Sequence, residues 1–176
     1  MEIKNKNGEV VAVLSDPIDL YHKDLSETNI ELMNLHHADM RGVSLWYANA
    51  RAAQIAWANI MRGDLRWAVL REANLSYSYA VEASFTGADL RDAFCAYLKA
   101  SKADFRSIQG QCANFSNAEL GAANFNNSNL AGVVFTGANL TGATFKYACL
   151  KGVDFRGAQL AGVDFAGADT FGAVFQ

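Results

Sequence analysis

The sequence predicts an all-β solenoid, and three observations carry that prediction. First, of the 32 positions numbered in multiples of five from Leu20 to Phe175, 26 are Leu, Ile, Met or Phe. A period of five fits neither a helix face nor a strand, so an isolated helix or hairpin would scatter these side chains around its surface, and the repetition must close on itself. Second, the residue two before each centre is Ala, Ser, Thr, Val or Gly in 27 of 32 cases. A separation of two puts the small and the large residue on the same side of an extended segment, and that pairing fills a narrow bore without collision. Third, the position just before the centre is Asn or Asp in 18 of 32 cases, types whose short side chains hydrogen-bond local backbone at turns. Each pentad therefore reads as a short extended segment and a corner.

The run Ala113-Asn114-Phe115-Ser116-Asn117-Ala118-Glu119-Leu120 shows the unit plainly. It resembles the pentapeptide-repeat family, whose unit is written A-(D/N)-L-x-x, and the resemblance extends from about Ile18 to Phe175. It implies a right-handed quadrilateral β-helix with four pentads to a coil and about eight coils, a rod roughly 38 Å long at ~4.8 Å per coil. Folded at that period, Phe85, Phe105, Phe125, Phe145 and Phe165 fall on one face. Phe115, Phe135, Phe155 and Phe175 fall on the opposite one, with a spacing that suits offset ring stacking. In two pentads the large and small residues exchange places, Leu98 with Ala100 and Ile108 with Gly110. These read as volume-conserving repacks of one core layer.

The ends need separate treatment, because a solenoid exposes an unpaired strand edge and an open core at each. Residues 1–17 read as an N-terminal cap, with two short strands around Asn5-Lys6-Asn7-Gly8 forming a hairpin, and residues 18–176 read as the β-helix. The repeat runs to Phe175 with no polar helix or terminal strand to shield Phe155, Phe165, Phe171 or Phe175. These residues are candidates for end-to-end homodimerisation through the C-terminal coil, and some members of the resembled family use such an interface.

Composition narrows the function. An apolar content of 51% in 176 residues suits one folded domain. The N-terminus lacks the apolar core of a leader, and no stretch approaches a membrane span, so the chain reads as soluble and cytoplasmic. Cys95, Cys112 and Cys149 are odd in number and widely spaced, which argues against a disulfide framework and a zinc site. A net charge of −3 gives no global pull towards nucleic acid. No catalytic constellation, cofactor motif or metal-ligand cluster is visible, so an enzyme is not expected.

What remains is deviation from the repeat. From Gly132 onward the second residue after the centre is Gly in eight of nine pentads, broken only by Tyr147, as corners needing positive φ favour. In the first half the same corner position carries His37, Trp57, Tyr77 and Tyr97 at twenty-residue intervals, with Tyr47 and Trp67 on the opposite corner. Trp46 and Tyr79 lie in the same stretch. A further column holds Arg51, Arg71 and Arg91, with Glu31, Glu72 and Asp92 placed to neutralise them. These aromatics and arginines are the candidate partner-binding residues, either as an interface core or as a stacking platform. Mutual packing is the alternative for the aromatics, and a phosphate or acidic partner is the sharper reading of the arginines.

The expected function is thus a non-enzymatic interaction or scaffold module for an unidentified protein partner. The family resemblance implies an alternative, a DNA-like rod that binds type II topoisomerases. Arg51, Arg62, Arg66, Arg71, Arg91, Lys102 and Arg106 interrupt the acidic columns that such mimicry needs, and no looped insertion breaks the register. Direct nucleic-acid binding ranks last.

Overall fold

The computed structural model describes residues 2–176. From Asp19 to Val174 the backbone winds as a quadrilateral β-helix in which the residue before each centre bridges its counterpart twenty residues on, always in parallel, beginning with Asp19 to Asp39 and ending with Asp154 to Val174. Each pentad thus contributes one bridging residue to one of four narrow faces and then turns a corner.

The repeat is explained by where its five N–H groups go, since buried donors must all find acceptors. Around Leu45 the donors at Ser44, Leu45 and Tyr47 bond carbonyls of the adjacent coils at Lys23, Asp64 and Arg66, and Ala48 N–H closes the corner on Leu45 O at 2.9 Å. The fifth donor, one past the centre, has no backbone acceptor. Where the residue before the centre is Asn or Asp, its Oδ1 takes that proton: Tyr21 N–H donates to Asp19 Oδ1 at 2.9 Å, Ser76 N–H to Asn74 Oδ1 at 3.1 Å and Ser116 N–H to Asn114 Oδ1 at 2.9 Å. The Asn/Asp signature fills the one gap in the backbone's own bonding.

Every corner from His22 to Gly172 has positive φ at its second residue. The first corner residue does not, and negative then positive φ is the pattern of a type II turn. Glycine takes this conformation freely, whereas Trp57, Tyr77 and Tyr97 hold it at φ 63°, 61° and 58°, at a cost of roughly 1–2 kcal/mol each.

The bore is filled by the centres and their small partners. Phe105 lies 4.7 Å from Phe85 and 4.7 Å from Phe125, with rings 11° and 3° from parallel, while Phe115 on the opposite face meets Phe105 edge-on at 5.8 Å and 83°. The two phenylalanine stacks therefore touch across the core. The exchanged pentads close without a void: Leu98, Ala100 and Ile108 are buried, and a Cβ on Gly110 would stand 2.9 Å from Leu130 Cδ2 and 3.3 Å from Ile108 Cδ1. Ser78 and Ser128, buried among these residues, donate to Ile55 O and Phe105 O.

At the N-terminal end, β1 (Glu2–Lys4) and β2 (Val10–Val13) pair antiparallel. Gly8 N–H donates to Asn5 O, with Gly8 at φ 82°. Ile3 is 1% exposed and joins the core with Ala12, and Lys6 pairs with Glu27 on the first coil. At the other end Phe155 is fully buried while Phe175 is 42% exposed, and Leu160, Val163 and Phe165 are only partly covered.

Candidate functional site

The corner aromatics form stacks. Trp57 and Tyr77 lie 4.4 Å apart at 2°, Tyr77 and Tyr97 4.7 Å apart at 6°, and His37 adds a looser step onto Trp57 at 6.1 Å and 22°. Rings at the coil spacing face one another along the rod, so they show solvent their edges and not their faces. A stacking platform for nucleic-acid bases is therefore not what this corner offers: the faces of Tyr77 are both taken. Tyr79, on the adjoining face, lies beneath the Lys99 ammonium at 4.7 Å. Phe94 lies on the other adjoining face and is 54% exposed. Sequence reasoning passed over Phe94, although a large apolar residue at an outward position normally held by Asn or Asp was the available signal.

The remaining candidates are not gathered into this surface. Tyr47 and Trp67 stack on the opposite corner at 6.2 Å and 11°, with Trp46 edge-on to Tyr47 at 4.5 Å. That ladder stops at Gly87, because the Trp67 indole lies over the next coil's corner and a Cβ on Gly87 would come within 2.4 Å of it. The three arginines stand on a third corner. The candidate site is three separate patches.

The arginine column is answered locally. Arg51 Nη2 donates to Glu72 at 3.2 and 3.3 Å, with Glu31 at 3.8 Å, and Arg71 lies between Glu72 at 3.5 Å and Asp92 at 3.3 Å. Arg91 turns to Asp89 in its own corner, its Nε and Nη2 donating to the two carboxylate oxygens at 2.8 and 2.5 Å. The same Asp-x-Arg fork recurs at Asp39–Arg41, Asp64–Arg66, Asp104–Arg106 and Asp154–Arg156. The arginine bond holds Asp39, Asp64, Asp89 and Asp154 below the usual carboxylate range, against the opposing effect of burial. For Asp104 desolvation is the largest influence and pushes upward, but bonds from Arg106 and Thr86 outweigh it. With Arg62 on Glu82, Lys146 on Asp164 and Lys151 on Asp169, most carboxylates of the rod are paired and form no bare acidic column.

Nothing in this surface is arranged for bond-making chemistry. Among the described residues no group of three or more His, Cys, Asp or Glu is placed to hold a metal ion. Cys95 is buried, which pushes its thiol pKa strongly upward and keeps it protonated. Among the described residues no helix is long and apolar enough to cross a membrane.

The profile of the family described as Pentapeptide repeats matches this sequence with eight copies, over residues 68–106, 113–157 and 138–176. The chain belongs to the pentapeptide-repeat family. Members are characteristically non-enzymatic scaffold and binding proteins, and this chain is one of them. Among solved structures, a trypsin-treated form of QnrB1, a plasmid-mediated fluoroquinolone resistance protein, is similar over 80% of this chain and 76% of its own. Its TM-score is 0.62 at 18% identity. HetL, involved in heterocyst differentiation regulation in the cyanobacterium Nostoc sp. strain PCC 7120, aligns over 89% of this chain and 86% of its own at 22% identity and TM-score 0.39. At these identities the likeness concerns the fold. No curated protein matches the chain.

Proposed function

We propose that this pentapeptide-repeat rod is a binding module for a protein partner, with the corner carrying Trp57, Tyr77 and Tyr97, flanked by Tyr79 and Phe94, as its contact surface. One observation carries the reading: three large rings, each roughly half exposed, occupy left-handed corner positions that glycine fills at lower cost elsewhere in the same rod. Stacking contributes about 0.5–1.5 kcal/mol per pair, which is about what the backbone strain costs. The ladder therefore adds little net stability, and a stabilising role alone does not account for it. A rigid corner suits binding because its side chains are ordered before the partner arrives. Capture from a native lysate by the wild type and by a Trp57→Ala/Tyr77→Ala/Tyr97→Ala variant tests this. Loss of the captured partner is expected in the variant, and equal capture sinks the proposal.

A second reading names the partner class as a type II topoisomerase. It is supported by the fold likeness to a fluoroquinolone resistance protein together with the topoisomerase-binding branch that the sequence resemblance brings in. The paired carboxylates described above give it no support as charge mimicry of DNA, so the contact would be made through shape and the aromatic corners. Supercoiling by purified gyrase, with the protein in stoichiometric excess, decides: an unchanged rate removes this reading.

Phe165 and Phe175 in the partly open last coil, with Phe171 standing 80% exposed on its corner, are proposed as a self-association surface between C-terminal coils; Phe155, expected to share it, is fully buried by the Phe175 ring and does not. Phe175 stacks on Phe155 at 5.1 Å and leaves its other side uncovered. Sedimentation should give a dimer mass for the chain and a monomer mass for Phe175→Asp; equal monomer masses would end this proposal.

A further inference from the structure

The corner bearing Trp57, Tyr77 and Tyr97 is set apart by charge as well as by rings. Segments 54–61, 74–81 and 94–101, which make this corner and parts of its two flanking faces in three successive coils, hold no Asp or Glu and one cation, Lys99, in a chain with 18 acidic residues. At the margins, Asp39 is occupied by Arg41, and Glu119 lies 4.0 Å from Lys99 on the following coil.

Hydrogen-bonding chemistry sharpens the asymmetry. Asn59 and Asn74 use their Oδ1 atoms to accept the corner N–H groups of Met61 and Ser76, and Asn74 gives one hydrogen of its NH2 to Gln54 Oε1 at 3.4 Å, so what each amide has left for a partner is an N–H donor. At the equivalent positions elsewhere an Asp makes the same turn bond and keeps a second acceptor oxygen, as Asp64 does towards Arg66. The Trp57 indole N–H is a donor only, and the hydroxyls of Tyr77 and Tyr97 donate as readily as they accept. Rings stacked face to face present their edges, the positive side of the aromatic quadrupole. The surface is apolar, carries no carboxylate and offers N–H donors from Trp57, Asn59, Asn74 and Lys99.

We infer that this corner docks an extended acidic peptide segment of a protein partner, its carboxylates meeting Lys99, the asparagine amides and the ring edges while its apolar side chains lie against Trp57, Tyr77, Phe94 and Tyr97. The inference rests on the reading that this corner is the contact surface. A polynucleotide fits less well, because the ring faces are occupied and one lysine releases about one counterion's worth of binding. The overall charge of −3 does not oppose docking, since charges farther than about 8 Å are screened at physiological salt.

The test is fluorescence anisotropy with three labelled probes: a peptide alternating glutamate and leucine, its counterpart with lysine for glutamate, and a single-stranded oligonucleotide. The informative variant is Asn59→Asp/Asn74→Asp, which retains the turn bonds and, apart from the Asn74–Gln54 amide contact, changes only the charge of the surface. The glutamate peptide should bind the wild type and weaken about tenfold or more in this variant and in Lys99→Glu, as for a charge pair lost at an interface. No saturable binding, undiminished binding to the aspartate variant, or tighter binding of the lysine peptide or the oligonucleotide overturns the inference. Lysate capture separates it from the reading beneath it. If the triple alanine variant loses its partner and the aspartate variant keeps it, the contact surface stands and the acidic partner falls; if both keep it, both fall.

Discussion

The phenylalanine stack in the bore and the aromatic ladder on the corner share one geometry and differ in almost everything else. Phe105 and Phe125 are parallel at 4.7 Å, and so, within a few degrees, are Tyr77 and Tyr97. The first pair is buried on all sides and sits in relaxed extended backbone; the second is roughly half exposed and sits on left-handed corners. Stacking distance is set by the coil spacing in both places and reports nothing about purpose. Burial and backbone cost distinguish a ring that holds the rod together from one that the rod displays.

The largest expected effect breaks the inner stack. Phe125→Ala should lower unfolding free energy by about 3–5 kcal/mol, since it removes a fully buried ring and leaves a cavity between Phe105 and Phe145; urea denaturation measures it. Overfilling the same core comes next. Gly110→Val forces a Cβ against Leu130 and Ile108 and should cost about 1–3 kcal/mol, visible as a lower midpoint in the same titration.

Smaller effects come from the surface. Asp39, Asp64, Asp89, Asp104 and Asp154 have folded-state pKa values below their ordinary ones, so the unfolded chain binds protons first as pH falls. Their contribution is complete above about pH 5 and drains away below about pH 4. Thermal melts from about pH 5 down to about pH 2 should show a falling midpoint, with Arg91→Ala flattening the slope. The smallest change is expected at the ladder. Tyr77→Gly loses two stacked neighbours but relieves a strained φ, and stability should stay within about 1 kcal/mol of wild type. A loss comparable to that of Phe125→Ala would place the ladder among the fold's supports and erase the distinction drawn above.

The fold was legible because a period of five admits so few closed solutions, and the placement of each phenylalanine followed from counting in twenties. The aromatic columns were legible for the same reason. Three features were not. Counting locates a ring but does not orient it, so the edge-out arrangement of Trp57, Tyr77 and Tyr97 needed coordinates. Phe94 stands outside the corner columns, at a face position that bridges Asn74 and Asn114. Arg91 was expected to balance against neighbouring positions, whereas the nearer Asp89, two residues back, wins because the turn itself brings the two side chains together. The Asp-x-Arg spacing that announces this recurs five times in the sequence.

The account stands on the claim that the corner ladder is displayed for binding and is not needed for folding. Its most direct test is a paired measurement on Trp57→Ala/Tyr77→Ala/Tyr97→Ala: urea unfolding alongside partner capture. The account predicts that the variant unfolds cooperatively, loses less stability than Phe125→Ala and no longer captures the partner. A variant that captures as well as the wild type, or that fails to fold, contradicts it.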